Sequence, residues 1–96
     1  MSDAPKPLEI RHDDTNQVFV ATVDGYDCEL EYRLAGKTMV ITHTGVPSPV
    51  GGRGIAALLT IHAVKFAEAK GWKIEPACAY ADTWFKRNTE YAHLLA

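Results

Sequence analysis

The sequence predicts an α/β (α+β) fold: a mixed, mostly antiparallel five-stranded sheet with one long helix and short C-terminal helices. Three observations carry this expectation. The first half of the chain holds four runs of strand character, divided by turn signals and free of any helical period. The next stretch sets apolar residues at helical spacing and stops at Gly71. A fifth strand-like run follows that helix, and short helical segments close the chain. A chain of 96 residues is long enough for one domain around one core.

The elements follow in order. Residues 1–7 (MSDAPKP) are expected to be a flexible lead-in, because two prolines and small polar side chains offer little to bury. A single domain then spans 8–96. Leu8 to His12 is the first strand. Gln17 to Val23 (QVFVATV) is the second, β-branched and apolar on both faces. Asp24-Gly25 closes it with a hairpin signal, since both central positions of such a turn take positive φ. Tyr26 to Leu34 alternates: Tyr26, Cys28, Leu30, Tyr32 and Leu34 share one face, and Asp27, Glu29, Glu31 and Arg33 share the other. That is the pattern of a half-buried antiparallel strand. Ala35-Gly36 turns the chain into a fourth strand, Thr38 to Thr44.

In the long helix, Ile55, Leu59, His62 and Phe66 form one stripe, widened by Leu58 and Ala69. On that stripe His62 is expected to be a core histidine with its polar atoms satisfied. Lys73 to Ala77 is the fifth strand, ended near Pro76. Tyr80 to Arg87 reads as helix, with Trp84 and Phe85 on the face that packs on the sheet. Thr89 is the expected N-cap of a last turn or two through Tyr91, Leu94 and Leu95.

Composition excludes several classes. The formal charge is −2, so the basic footprint of a nucleic-acid binder is missing and no nucleic-acid partner is expected. No stretch approaches the roughly 18 apolar residues of a membrane span, and no membrane partner is expected. The opening MSDAPKPLEI has no apolar run of a secretory leader. Cys28 and Cys78 stand far apart, with no CxxC and no Cys/His spacing that suits zinc, so no metal is expected. Free thiols in a reducing cytoplasm are the expectation.

Chemistry concentrates in Pro47-Ser48-Pro49-Val50-Gly51-Gly52-Arg53-Gly54, where the stiffest and most pliant residues meet just before the helix. A helix start leaves several N–H groups without partners and carries about half a positive charge. Glycines there let an anion, usually phosphate, reach bare backbone, and Arg53 adds a full charge. The plainer alternative is a turn that merely starts a helix. A Walker loop is excluded, since no Gly-Lys-Ser/Thr follows. Gly52-Arg53-Gly54-Ile55-Ala56-Ala57 fits G-x-G-x-x-A, with Glu75 near the place of a ribose-binding acid. A dinucleotide fold, however, needs that motif after its first strand and several βαβ units beyond it. Here antiparallel strands precede the motif and too little chain follows.

The antiparallel meander, then Val46-Pro47, the glycine loop and an Ile-Ala helix start, resembles the GCN5-related N-acetyltransferases (the GNAT superfamily). The family's loop reads Q/R-x-x-G-x-G/A, matched here by Pro49-Val50-Gly51-Gly52-Arg53-Gly54. The resemblance extends to a small subgroup of bacterial YjdJ-like and eukaryotic N-acetyltransferase domain-containing proteins. Members carry H-T-E-V-P, G-K-G-I-A, P-x-C-x-Y/F, an aromatic in a short helix, and P-E-Y. This chain has His43-Thr44-Gly45-Val46-Pro47, Gly52-Arg53-Gly54-Ile55-Ala56, Pro76-Ala77-Cys78-Ala79-Tyr80, Trp84 and Thr89-Glu90-Tyr91. The likeness runs from about Cys28 to the C-terminus.

The resemblance implies an acetyl-coenzyme A-dependent N-acetyltransferase with acetyl-coenzyme A as co-substrate and an unidentified amine as acceptor. Val46 would border the pantetheine arm. The N–H groups of Gly51, Gly52, Arg53, Gly54, Ile55 and Ala56 would hold the diphosphate. This chain departs from the pattern at Pro49 (usually Gln or Arg), Gly51 (commonly Arg), Gly45 (usually Glu) and Asn88-Thr89 (His-Pro). Arg53 in place of Lys keeps the charge. The later strands of longer members are absent, which leaves the acceptor cleft open to a peptide or protein amine, or to completion by a protein partner. A coenzyme A-binding or regulatory module without catalysis is the alternative, supported by the missing acid at Gly45.

Acetyl transfer needs a neutral amine, a polarised carbonyl and a proton for the departing thiolate. Backbone N–H groups around Val46 are the candidates for polarising the carbonyl. The resemblance puts Cys78 near the acetyl group, where its thiolate would accept acetyl covalently; the plainer reading is a small buried hydrophobe. His43 is a candidate base, of a residue type that titrates near neutrality, or else a sheet residue bonded to a neighbouring strand. Tyr80 and Tyr91 are candidate proton donors, or amphipathic packers. Lys86 and Arg87 point either to the cofactor phosphates or to solvent at a helix end.

Overall fold

The computed structural model describes residues 9–96; the expected lead-in and Leu8 lie outside the described residues. One sheet holds β1 (Ile10–Asp13), β2 (Val18–Val23), β3 (Tyr26–Ala35), β4 (Thr38–Gly45) and β5 (Lys73–Pro76), side by side in chain order. The first four pair antiparallel. Helix α1 (Ile55–Lys70) then carries the chain back across the sheet, so β5 pairs with β4 in parallel. Helix α2 (Ala79–Arg87) and a 3-10 stretch, Thr89–Leu94, complete the domain. The expected architecture is the observed one.

The hairpin between β2 and β3 turns on Asp24 and Gly25, at φ 50° and 80°. Both lie in the left-handed region that suits the sheet's twist. On β3, Cys28, Leu30 and Tyr32 are buried opposite Ala21, Phe19 and Ile41. Glu29, Glu31 and Arg33 occupy the other face. Tyr26, expected on the buried face, is 42% exposed because it sits beside the hairpin turn, where the core ends.

Helix α1 corrects one expectation. Ile55 and Leu59 of the expected stripe are buried, but the buried line continues through Thr60, Ala63, Val64 and Ala67, leaving Phe66 half-buried at its side. His62, Leu58 and Ala69 are exposed, so His62 is no core histidine. The reason is size. Thr60, Ala63 and Ala67 are small enough to bring the helix close to the sheet, and the Thr60 hydroxyl donates to the Ala56 carbonyl at 2.8 Å. The larger Phe66 and His62 rings lie to the side, edge-on to Phe19 at 5.7 and 5.4 Å. Gly71, at φ 74°, ends the helix; its N–H reaches the Glu68 carbonyl and that of Trp72 reaches Ala67.

The C-terminal segment corrects another. Thr89 does not cap a helix: the 3-10 stretch begins at Thr89 with no side-chain cap. Asn88 closes α2 instead, its N–H and side-chain amide both donating to the Trp84 carbonyl at 2.9 and 2.8 Å. Leu94 is buried, while Leu95, only partly covered, bridges to Ile74 along the outer edge of β5.

His12 on β1 stacks on Phe19 at 4.2 Å, meets the Phe66 edge at 4.6 Å and shares a hydrogen bond with the Tyr32 hydroxyl. Burial lowers its pKa below the ordinary 6.5; Asp14 opposes, His62 and Lys70 reinforce, and Asp13 opposes. The unfolded chain therefore takes up this proton first as pH falls. His12 stability is fully present above pH 6.5 and declines as pH drops toward its folded value. Urea midpoints at stepped pH should show that decline, and His12→Gln should flatten it. An equal slope in the variant would refute the assignment.

Candidate functional site

Three features meet at the carboxyl end of the parallel pair β4 and β5. The first is the loop into α1. After Val46 and Pro47 the chain makes a 3-10 turn, Ser48–Val50, which buries Val50 and leaves Gly51 to Gly54 exposed. Gly52 and Gly54 take φ of 76° and 77°, and a Cβ built on either meets nothing within 4 Å. Gly54 is the N-cap of α1 and offers no side chain to cap it. Leu58 is the first residue to donate back, to the Gly54 carbonyl at 3.1 Å. Among the described residues, the N–H groups from Gly52 to Ala57 have no hydrogen-bond partner.

The second feature is a gap. Pairing of β4 with β5 stops at Ile41 and Pro76, yet β4 runs four residues further, to Gly45. Beyond Pro76 the N–H groups of Ala77 and Cys78 both turn onto the Ile41 carbonyl, each at 3.0 Å. The register against β3 slips here: Tyr32 faces Ile41 while Glu31 faces His43, so Thr42 is an extra residue. Such a bulge bends its strand and re-aims the residues after it.

The third is Cys78, the N-cap of α2. Its Sγ accepts from the Ala81 N–H at 3.4 Å and lies 3.6 Å from the Thr44 hydroxyl. Thr44 pairs opposite Leu30 and so belongs to the buried face of β4. The expectation that Cys78 stands beside the end of strand four is met geometrically, although the thiol is half-buried rather than sealed in the core.

The other candidates fall as follows. His43 is exposed and faces Glu31, on the opposite side of β4 from Thr44 and Cys78. Its ring leans over Gly45: a Cβ there would come within 2.9 Å of His43 Nε2. It makes no side-chain bond to a neighbouring strand among the described residues. The structure therefore brings Thr44, not His43, to Cys78. Tyr80 lies in the first turn of α2 and is 37% exposed. Burial raises its phenol pKa, with Arg87 opposing. Tyr91 packs on Trp84 at 5.5 Å, and Lys86 pairs with Asp82 at 3.0 Å. Arg53 reaches away from its loop to the hairpin, where Nη1 donates to Asp24 Oδ2 at 2.7 Å. Val46 is half-buried at the junction of β4 and the loop.

Two residues escaped the sequence reading. Thr44 lay within the quoted His-Thr-Gly-Val-Pro stretch, but nothing marked its hydroxyl. Asp24 carried only a turn signal. Among the described residues, no group of three or more His, Cys, Asp or Glu side chains is placed for a metal, and no helix is long and apolar enough to cross a membrane.

A family model described as GCN5-related N-acetyl-transferase matches residues 18–94. The chain belongs to that family. Among curated relatives, Protein NATD1 of Gallus gallus is 33% identical over 85 residues, covering 85% of this chain and 77% of its own. Protein NATD1 of Homo sapiens is likewise 33% identical, with 85% and 75% covered. The fold superposes with a TM-score of 0.75 on the NMR solution structure of a GCN5-like protein from Staphylococcus aureus. That pair is 26% identical, with 93% of this chain and 88% of the other covered. In this GCN5-related chain, the open loop, the strand gap and the thiol all lie at one end of the sheet.

Proposed function

We propose that this GCN5-related chain is an acetyl-coenzyme A-dependent N-acetyltransferase acting on an amine, carried by a peptide or protein, in the cytoplasm. One observation carries the reading. The free N–H groups from Gly52 to Ala57 share an end of the sheet with the gap between β4 and β5, where Cys78 and Thr44 meet.

The residues fit coenzyme A on the glycine geometry. At Gly52 and Gly54 a side chain would enter open space that the bare backbone leaves free, as a cradle for a diphosphate requires. Gly52 to Ala56 would hold the phosphates, and Val46 would border the pantetheine arm; the Gly51 N–H, expected to join them, already donates to the Ser48 carbonyl at 3.0 Å. Acetyl-coenzyme A supplies the activated acyl group as a thioester. The N–H groups around Val46 would donate to its carbonyl oxygen. His43 lies on the other face of β4 from Cys78 but leans over Gly45 at the strand end, and from there it would take the proton of the incoming amine. The Tyr80 phenol is protonated at neutral pH and would return a proton to the departing sulfur, although burial makes it a weaker acid. Cys78, held by Thr44 and Ala81, lines the gap and would accept acetyl itself in a two-step route.

The second reading, a coenzyme A-binding module without turnover, draws on Gly45. Where the subgroup has a carboxylate, this strand end has only His43 leaning over a glycine.

Two measurements test these readings. Coenzyme A at about 100 times its Kd should stabilise the protein by roughly 2.7 kcal/mol in a thermal-shift assay. Labelled acetyl-coenzyme A with a panel of amines and lysine peptides should then yield acetylated product. A thermal shift without product selects the binding module, and no shift at all overturns both. Turnover unchanged in Cys78→Ala removes the two-step route.

A further inference from the structure

Arg53 is the one charged residue between Val46 and Ala57. Its guanidinium is already engaged, donating to the Asp24 carboxylate at 2.7 Å across the surface, with the two side chains 50% and 64% exposed. The two partners differ in stiffness. Asp24 is presented by a tight two-residue turn at φ 50° and 80°. Arg53 lies between Gly52 and Gly54, which leave its backbone free of side-chain support. A carboxylate offers a guanidinium a pair of anionic oxygen acceptors, as a phosphate does.

We propose that Asp24 is a built-in competitor for Arg53: its carboxylate holds the loop's one cation in the free protein, and an incoming diphosphate must displace or share it. The inference rests on the coenzyme A reading above. An exposed ion pair is weak and solvent-screened, so Asp24 sets the affinity of the loop and does not block it. The more highly charged diphosphate prevails over the single carboxylate. The hairpin between β2 and β3 thereby tunes the binding site through Arg53.

Asparagine at position 24 keeps the shape of aspartate and tolerates positive φ, so Asp24→Asn removes the charge while preserving the turn. Coenzyme A is titrated by calorimetry into wild type, Asp24→Asn, Arg53→Gln and the double variant. Asp24→Asn is expected to bind about threefold more tightly than wild type. Arg53→Gln should bind more weakly, and Asp24→Asn should change nothing once Arg53 is gone. Unchanged or weaker binding by Asp24→Asn overturns the proposal. An equal gain in the Arg53→Gln background also overturns it, because Asp24 would then act on the phosphates through space. A wild-type chain that binds no coenzyme A removes the parent reading and this inference with it. If Asp24→Asn lacks a cooperative thermal transition, Asp24→Gly, which also suits positive φ, replaces it in the same four-way comparison.

Discussion

Gly54→Val is expected to remove most coenzyme A binding while leaving the protein folded. Gly54 is at φ 77°, with open space where a Cβ would project. A β-branched side chain there is strained by about 1–2 kcal/mol, and its methyl groups fill the approach to the first N–H groups of α1. Losing two hydrogen bonds to a charged phosphate forfeits about 3 kcal/mol, or roughly 100-fold in Kd. Gly36 supplies the control. It sits at φ 62° in the turn between β3 and β4, also with nothing within 4 Å, but away from the loop. Gly36→Val should show comparable loss of stability and unchanged affinity. Calorimetric titration of both variants decides the matter. A wild-type Kd in Gly54→Val would show that the ligand does not use this end of the helix.

The second large effect concerns neighbouring leucines. Leu59 is fully buried, whereas Leu58 is 45% exposed. Leu59→Ala empties a space beneath α1 and should cost about 3 kcal/mol. For a domain of this size that lowers Tm by roughly 15 °C. It also loosens the helix that carries the glycine loop. Leu58→Ala should stay within about 0.5 kcal/mol of wild type, as exposed positions generally do. Thermal melts of the two variants test which face of α1 meets the sheet; equal losses would mean that the burial assignment is wrong.

That contrast shows where the sequence is legible. The strands were readable because β2 and β3 each end in a turn dipeptide, and β3 alternates strictly for most of its length. The loop was readable because glycines beside a helix start have a specific backbone use. The buried face of α1 was not readable, since Ala57, Leu58, Ile61, Phe66 and Ala69 put apolar residues outside the buried line as well. Period alone offered two stripes, and the small residues at 60, 63 and 67 chose between them only against a real sheet.

The site was legible by parts and not by arrangement. Cys78 and the glycines were found as single features. The side of β4 on which His43 falls depends on a one-residue slip at Thr42, which no local pattern announced. The contact between Thr44 and Cys78 needs the crossover through α1 to bring them together. The pair of Arg53 with Asp24 joins the loop to a distant hairpin through charges that look solvated when read one at a time.

The fork of two amides on the Ile41 carbonyl has a practical meaning. Two main-chain bonds fix the backbone of residue 78, so chemical tailoring of its sulfur gives up the Ala81 and Thr44 contacts but leaves that anchor intact. The other thiol, Cys28, is sealed at 0% exposure, and burial raises its pKa. Thiol-directed reagents therefore meet one accessible thiol in the unaltered protein, and a fluorophore or nitroxide attached to it reports from the mouth of the divided strands without any engineered cysteine.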